Sequence, residues 1–288
     1  VSSTLGLGFA LGRASGACGF DFGGAALPAG ATLTRGSAGS IIDAAGAVRT
    51  VAADAPRFDH DPVSGARTGL LIEPAASNAI AHPHGFTVAP WTLDQGDDGS
   101  LPVTTPGQPA PDGTNGAVRV DFARGIGFSR LRNNVAVPAA GQYCFSLWLC
   151  AAAPGPSITL RLDGTDSGTL MLDTRWRRAA FTSAVGTIVD VQLILWSLIA
   201  GAPLTTSVFA WGAQLEPGAS PTSFVEGSRA ADVLTLDWGA KGVADGALAV
   251  RYRFDDDSWA TGIQTVSGGR AVVPTDLPRA ALRRIERA

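Results

Sequence analysis

The sequence has almost no lysine: Lys241 stands alone, and the chain's basic side chains are otherwise arginine. Arginine is the less hydrated cation and the better partner for buried or interfacial carboxylates. Charge of either sign is sparse, at 16% of residues with a formal net charge of −3. No general field therefore draws the chain to nucleic acid or to an anionic membrane. Long apolar runs are also missing. The longest, Val191 to Ile199, is broken by Gln192 and Ser197 and is too short to span a bilayer, so no membrane insertion is expected. Residues 1–12 lack a basic n-region and are cut by Gly6, Gly8 and Gly12, unlike a secretory signal. Cysteine is scarce as well. On one extended strand Cys144 and Cys150 would lie about 20 Å apart, too far for a disulfide. Cys18, Cys144 and Cys150 are expected to be reduced, which fits assembly in a cytoplasm.

Motifs that carry chemistry are equally rare. There is no Gly-x-Ser-x-Gly, no HExxH and no P-loop. His82-x-His84 has no third ligand nearby and reads as loop surface. The acidic groups Asp97-Asp98, Asp163/Asp166 and Asp255-Asp256-Asp257 fall in predicted turns, where aspartate bonds the local backbone. They supply the carboxylate pair of a glycoside hydrolase by composition only, so no catalytic residue is assigned and an enzyme is not expected. The one cofactor the composition offers is a structural Ca²⁺, with Asp94, Asp97, Asp98 and Glu216 as weak oxygen-ligand candidates.

What the chain does have is 36 glycines, 18 prolines and 45% hydrophobic residues, the composition of a turn-rich β protein with ample core. Period-two alternation runs through Val118–Phe122, Tyr143–Cys150, Ile158–Leu162, Val191–Trp196 and Val208–Leu215. Five such runs joined by Gly, Pro and Asp turns predict an antiparallel β-sandwich over about residues 88–227. Residues 1–55 form a Gly/Ala-rich N-terminal region suited to attachment or oligomerisation, with a hairpin over 41–51 turning at Ala45-Gly46. Residues 228–288 make a small C-terminal β unit. Its tail carries Leu277, Ala281 and Ile285 at helix spacing and reads as a helical or extended hook.

Between them, residues 56–87 read as a rigid junction rather than as core. Pro56-Arg57-Phe58-Asp59-His60-Asp61-Pro62 should run extended and then turn, and Leu70-Leu71-Ile72 is a short apolar strand closed by Glu73-Pro74. PRFDHDPVSGARTGLLIEPAASN over 56–78 resembles a segment of spike, fibre and other structural proteins of tailed phages and phage-like gene transfer agents. Further on, Trp211-Gly212-Ala213-Gln214-Leu215-Glu216-Pro217-Gly218, Pro221-Thr222-Ser223-Phe224 and Arg229-Ala230-Ala231-Asp232 carry a second resemblance to the same proteins. The two signatures cover roughly 34–232 and, in such proteins, bracket a sandwich that looks like a carbohydrate-binding jelly roll. Where the family usually has Glu-Ala-Arg-Thr-Asn, this chain has Glu73-Pro74-Ala75-Ala76-Ser77-Asn78, so no role of that arginine carries over. The fold expected is all-β: an antiparallel jelly-roll β-sandwich with a Gly-rich N-terminal attachment region and a small β C-terminal unit.

Strand parity nominates the binding residues. If Tyr143, Phe145, Leu147 and Leu149 face the core, Trp148 faces out with Ser146, and Trp196 likewise points away from Leu193 and Leu195, beside Gln192. An outward indole can stack on a pyranose while polar neighbours fix the hydroxyls. Trp211 and Trp176 read as structural, Trp211 on the same face as Phe209, Ala213 and Leu215. Ser129-Arg130-Leu131-Arg132-Asn133-Asn134 reads as a donor-rich turn, and Arg130, Arg132, Asn133 and Asn134 join the candidate carbohydrate site. With the resemblance, these residues imply a spike or fibre on a virion or gene-transfer-agent surface, binding host polysaccharide or capsule. Its residues 1–55 would meet other particle proteins, and the chain would be a trimeric or pentameric homo-oligomer. A ligand-free particle component and a glycan depolymerase are the alternatives.

Overall fold

A computed structural model describes residues 18–96, 100–196 and 204–288. Seven strands precede the sandwich: β1 (Gly19–Asp21), β2 (Ala31–Thr34), β3 (Gly39–Ile42), β4 (Val48–Val51), β5 (Phe58–His60), β6 (Arg67–Leu71) and β7 (Ala76–Ser77). Ten build it. The first five are β8 (Thr92–Gln95), β9 (Ser100–Gln108), β10 (Ala117–Ala123), β11 (Phe128–Ala136) and β12 (Gly141–Cys150). The rest are β13 (Ser157–Leu162), β14 (Thr165–Met171), β15 (Arg177–Val185), β16 (Ile188–Trp196) and β17 (Thr205–Pro217). Six follow: β18 (Ser228–Arg229), β19 (Val233–Asp237), β20 (Gly246–Phe254), β21 (Trp259–Val266), β22 (Arg270–Val272) and β23 (Ala281–Arg287).

The ten central strands form two antiparallel sheets, ordered β15-β12-β17-β10-β9 and β14-β13-β16-β11-β8. The chain crosses between them at nearly every step from β10 to β17, which is jelly-roll connectivity. Phe145, Leu147 and Leu149 of one sheet meet Leu131, Leu160, Val191 and Leu193 of the other in a continuous core. Alternation places these side chains correctly because each of these strands turns alternate apolar side chains into the shared core.

One parity expectation fails. Val208 and Ala210, not Phe209 and Trp211, join Ala213 and Leu215 in the sandwich core. Opposite Ser146 and Trp148, β17 spends three residues where β12 spends two, running from Gln214 to Trp211. This is a bulge, and Gly212 takes it at φ +66°, a conformation that favours glycine. The extra residue flips the face and turns Trp211 outward.

The terminal segments do not form separate units. β1, β5 and β6 share a six-stranded sheet with β20, β21 and β23, and β2 pairs with β19 and, through it, β22. Phe20, Phe22, Leu70, Ile72, Trp238, Tyr252, Phe254, Leu282 and Ile285 make their common core. Phe58, Leu70 and Ile72 thus make the 56–78 segment part of a core, not merely a junction. The tail is strand β23, lying between β20 and β6. Its helix-like spacing is overridden because strands on both sides satisfy its backbone. The 41–51 hairpin forms with Gly46 at φ +80° and lies over the outer face of the β12 sheet, where Val48 packs with Trp148 and Trp211.

A buried ion cluster ties these parts together. Asp232 meets Arg35 at 3.1 Å and Arg57 at 2.5 Å, and Glu73 meets Arg57 at 2.7 Å and Arg229 at 3.3 Å. All five residues are buried. Asp232 also accepts the Glu73 backbone N–H at 2.9 Å, and Ser223 donates its N–H and its hydroxyl to Glu73, each at 2.7 Å. Burial pushes Glu73 up, but Arg57 and Arg229 and the serine bonds outweigh it and hold the carboxyl below its ordinary value. Removing one member leaves unpaired charge in the interior. Asp232→Ala is expected to cost about 3–5 kcal/mol in urea unfolding.

Asp59, beside this cluster, is the misfit. Burial, reinforced by Glu73 and opposed by its bond from the Ile42 N–H at 2.5 Å, pushes its carboxyl up to about 6. The fold therefore favours protonated Asp59, and its ionisation destabilises the native state as pH rises from about 4 through about 6. Asp59→Asn keeps an oxygen for Ile42 and removes the charge. The variant should match the parent near pH 4 and exceed it by up to about 3 kcal/mol from pH 6 upward, read from paired denaturation curves across pH.

Candidate functional site

The outer face of the β14-β13-β16-β11-β8 sheet carries most of the residues nominated from sequence. Ser129–Asn134 is not a turn: it lies within β11, whose pairing with β16 is continuous. That register sets Phe128 opposite Trp196, Arg132 opposite Gln192 and Asn134 opposite Asp190. On the far side of β16, Arg161 of β13 faces Gln192, and on the near side Asp94 of β8 faces Arg130. Residues spread from Asp94 to Trp196 thus form one polar plate.

The plate is internally paired. Arg130 grips Asp94 through Nε, at 2.8 Å, and through Nη2, and donates to Gln192 Oε1 at 3.2 Å. Arg132 reaches Asp190 at 2.9 Å and Asn134 Oδ1 at 3.2 Å. Gln192 is buried among these groups and donates to Asp190 at 2.6 Å. Arg161 meets Asp166 at 3.3 Å. Across the plate runs an aromatic step: Phe128 and Trp196 lie near-parallel with centroids 5.7 Å apart, Arg130 sits 4.3 Å over Phe128 and Arg161 4.3 Å over Trp196. These contacts combine stacking with cation–π attraction. Trp196 is half-buried and its indole N–H has no partner among the described residues.

Two nominations do not belong to this face. Asn133 shares the inward parity of Leu131 and Val135 and is buried, with neither amide atom hydrogen-bonded. Trp148 does leave the sandwich core, but on the opposite sheet, and it is only 3% exposed. It packs with Val48, Ala110, Ala117 and Trp211, with Phe224 against them. Alternation told which way the indole points, not that the chain's own hairpin covers it. The calcium set is not assembled either. Asp94 and Glu216 lie in opposite sheets, Asp94 paired with Arg130 and Glu216 accepting from Thr222 at 2.8 Å. Asp97 and Asp98 fall outside the described residues. Among the described residues no three His, Cys, Asp or Glu side chains are grouped to hold a metal. His84 instead packs on Trp211, with centroids 4.5 Å apart.

Phe128, Arg161 and Asp190 are members of the plate that sequence reasoning passed over. The parity of Ile158, Leu160 and Leu162 already sends Arg161 outward. Phe128 and Asp190 are legible only through the β11–β16 register, which no local pattern fixes.

No family model and no curated protein matches the chain. Solved structures similar to parts of it include a family 61 carbohydrate-binding module in complex with β-1,4-galactotriose, with 14% identity and a TM-score of 0.35, covering 49% of this chain and 99% of that one. A second is the CBM22-1 xylan-binding domain of Xyn10C from Paenibacillus barcinonensis, with 11% identity and a TM-score of 0.36, covering 51% and 99%. A third is the enzymatically active domain of bacteriophage CBA120 tailspike protein 4, with 10% identity and a TM-score of 0.32, covering 48% and 21%. Likenesses this slight assign no ligand, and the plate has to be judged on its own chemistry.

The interior amide is directly testable. Asn133→Leu removes two unpartnered buried polar groups and should stabilise the sandwich by about 1–3 kcal/mol in urea unfolding.

Proposed function

We propose that this chain binds polysaccharide through the outer face of the β14-β13-β16-β11-β8 sheet. The observation that carries this reading is the plate itself: three guanidiniums, two amides and three carboxylates held around a Trp–Phe step on one sheet face. Forked N–H donors beside carboxylate acceptors suit vicinal hydroxyls, and guanidinium and indole planes suit the C–H face of a pyranose. Arg130, Arg132, Asn134 and Arg161 would make polar contacts, Trp196 and Phe128 would supply the apolar step, and Gln192, Asp94 and Asp190 would position the arginines.

The particle setting rests on the resemblance of residues 56–78 and 211–232 to spike and fibre proteins. We propose a component of a phage or gene-transfer-agent surface, assembled in a bacterial cytoplasm and directed at host surface polysaccharide or capsule. It would be a homo-oligomer of three or five copies, whose N-terminal residues meet other particle proteins. Asp94 and Asp190 are both tied to Arg132, an arrangement that favours holding a glycan over cleaving it. No bound metal is required by this reading; a structural Ca²⁺ stays a proposal resting on Asp94, Asp97 and Asp98.

A glycan array probed with wild type, Arg132→Ala, Trp196→Ala and Trp148→Phe tests the site. The first two substitutions should weaken binding about tenfold or more with the far-UV spectrum unchanged, as loss of about 1.4 kcal/mol implies, while Trp148→Phe leaves binding to this face intact. Shortened oligosaccharides in the supernatant would favour the depolymerase, and an array blank with the folded wild type would leave a ligand-free particle component.

A further inference from the structure

The opposite sheet holds a second polar recess, unrelated to the plate. A cleft of about 540 Å³ lies between the outer face of β12 and β15, the β3–β4 hairpin, the 220–224 loop and the β23 segment. Ligand pockets commonly have this size. Trp148 and Arg178 line it and are direct cross-strand partners in the β12–β15 register.

Their donors exceed what the protein supplies. Arg178 gives Nη1–H to the Thr222 carbonyl at 2.5 Å and Nη2–H to Ser146 Oγ at 3.0 Å, both neutral acceptors. Among the described residues no carboxylate lies within ion-pair distance of it. Arg178 Nε and Trp148 Nε1 are buried without a partner, as is Thr68 Oγ1 on the same cleft. The cleft's own acids are engaged elsewhere: Asp59 with the Ile42 N–H, Asp61 with Ser64, Glu73 with Arg57 and Arg229, Asp255 with Arg279. Buried donors are rarely left unpaired in native proteins, and each one left so calls for an explanation. A carboxylate offers two oxygens with about four acceptor sites and matches a guanidinium beside an N–H. The lining also carries hydroxyls: Thr68 Oγ1 has no partner among the described residues, while Ser40, Thr222 and Ser223 donate to Phe224, Glu216 and Glu73 and can serve a ligand only as acceptors.

We propose that this cleft is a second binding site, taking the carboxylate of an acidic sugar on Arg178 and the Trp148 indole N–H. Occupancy would bridge the sandwich to the hairpin and to the C-terminal strands, since all of them line the recess. The site does not depend on the plate and stands if glycan binding there fails.

The test is an ¹H–¹⁵N titration of the full chain with galacturonate and glucuronate, and with galactose and glucose as uncharged counterparts. The Trp148 indole N–H is assigned by its disappearance in Trp148→Phe. At least one uronate should shift that resonance saturably, with a Kd of about 1 mM or tighter, while the neutral sugars leave it unmoved. Arg178→Lys, which keeps the charge but loses the fork, and Arg178→Met should weaken the uronate about tenfold or more, and Trp196→Ala should not. Sodium sulfate as a further arm separates carboxylate recognition from general anion binding. An indole resonance unmoved by both uronates, or moved equally by galactose or by sulfate, overturns the proposal. So does unchanged uronate affinity in a folded Arg178→Met.

Discussion

Two carboxylates, Glu73 and Asp232, hold three arginines in an interior closed to solvent, and the architecture hangs on that pairing. Arg35 follows β2, Arg57 precedes β5, Glu73 follows β6, Arg229 is in β18 and Asp232 precedes β19. Every chain segment that passes between the terminal sheets and the sandwich puts a charge into the cluster. None of those charges is tolerable alone in a low-dielectric interior, so the crossings form together or not at all. Ser223 extends the link to the loop that follows β17. The choice of guanidinium over ammonium fits, since its fork bonds two acceptors at once and sheds hydration more readily.

This places the two segments that resemble spike and fibre proteins in a new light. Arg57 and Glu73 come from the first, Ser223, Arg229 and Asp232 from the second, and they meet in one cluster. In this chain the signature residues serve architecture. They fix how strands 150 residues and more apart in sequence come side by side, and they say little about a ligand. The departure after Glu73 is consistent with that: the glutamate that the cluster needs is present, and Arg229 supplies a guanidinium to it from the other segment.

Period-two alternation made the sandwich legible because its strands turn alternate apolar side chains into the shared core, and the strands over 117–123, 143–150, 158–162, 191–196 and 208–215 all follow from it. Alternation is blind to three things. It does not see a bulge, so the face of Trp211 came out reversed at Gly212. It does not see a third layer, so Trp148 was aimed correctly and yet lies under the β3–β4 hairpin. And it does not see long-range pairing, so β23 looked like a hook and the two ends of the chain looked like separate units. Asn133 shows the converse error, where polarity suggested a turn although the parity of Leu131 and Val135 sends the side chain into the core.

The two sheets of the sandwich therefore have different work open to them. The β12 sheet gives the part of its outer face around Trp148 and Trp211 to the hairpin and the 220–224 loop. The β16 sheet keeps a broad polar face, and its arginines are already fixed by Asp94, Asp166 and Asp190. Pairing of this kind lowers the entropy lost when a ligand orders the side chains, because the forks are held before it arrives. It also lowers the gain, because a hydroxyl competes with bonds already made and Arg161 covers the ring that a pyranose would seek. On the polysaccharide reading proposed above, a face so arranged would make only weak contacts with each sugar. Useful grip would then come from many copies engaging one polymer, where effective concentration replaces single-site affinity.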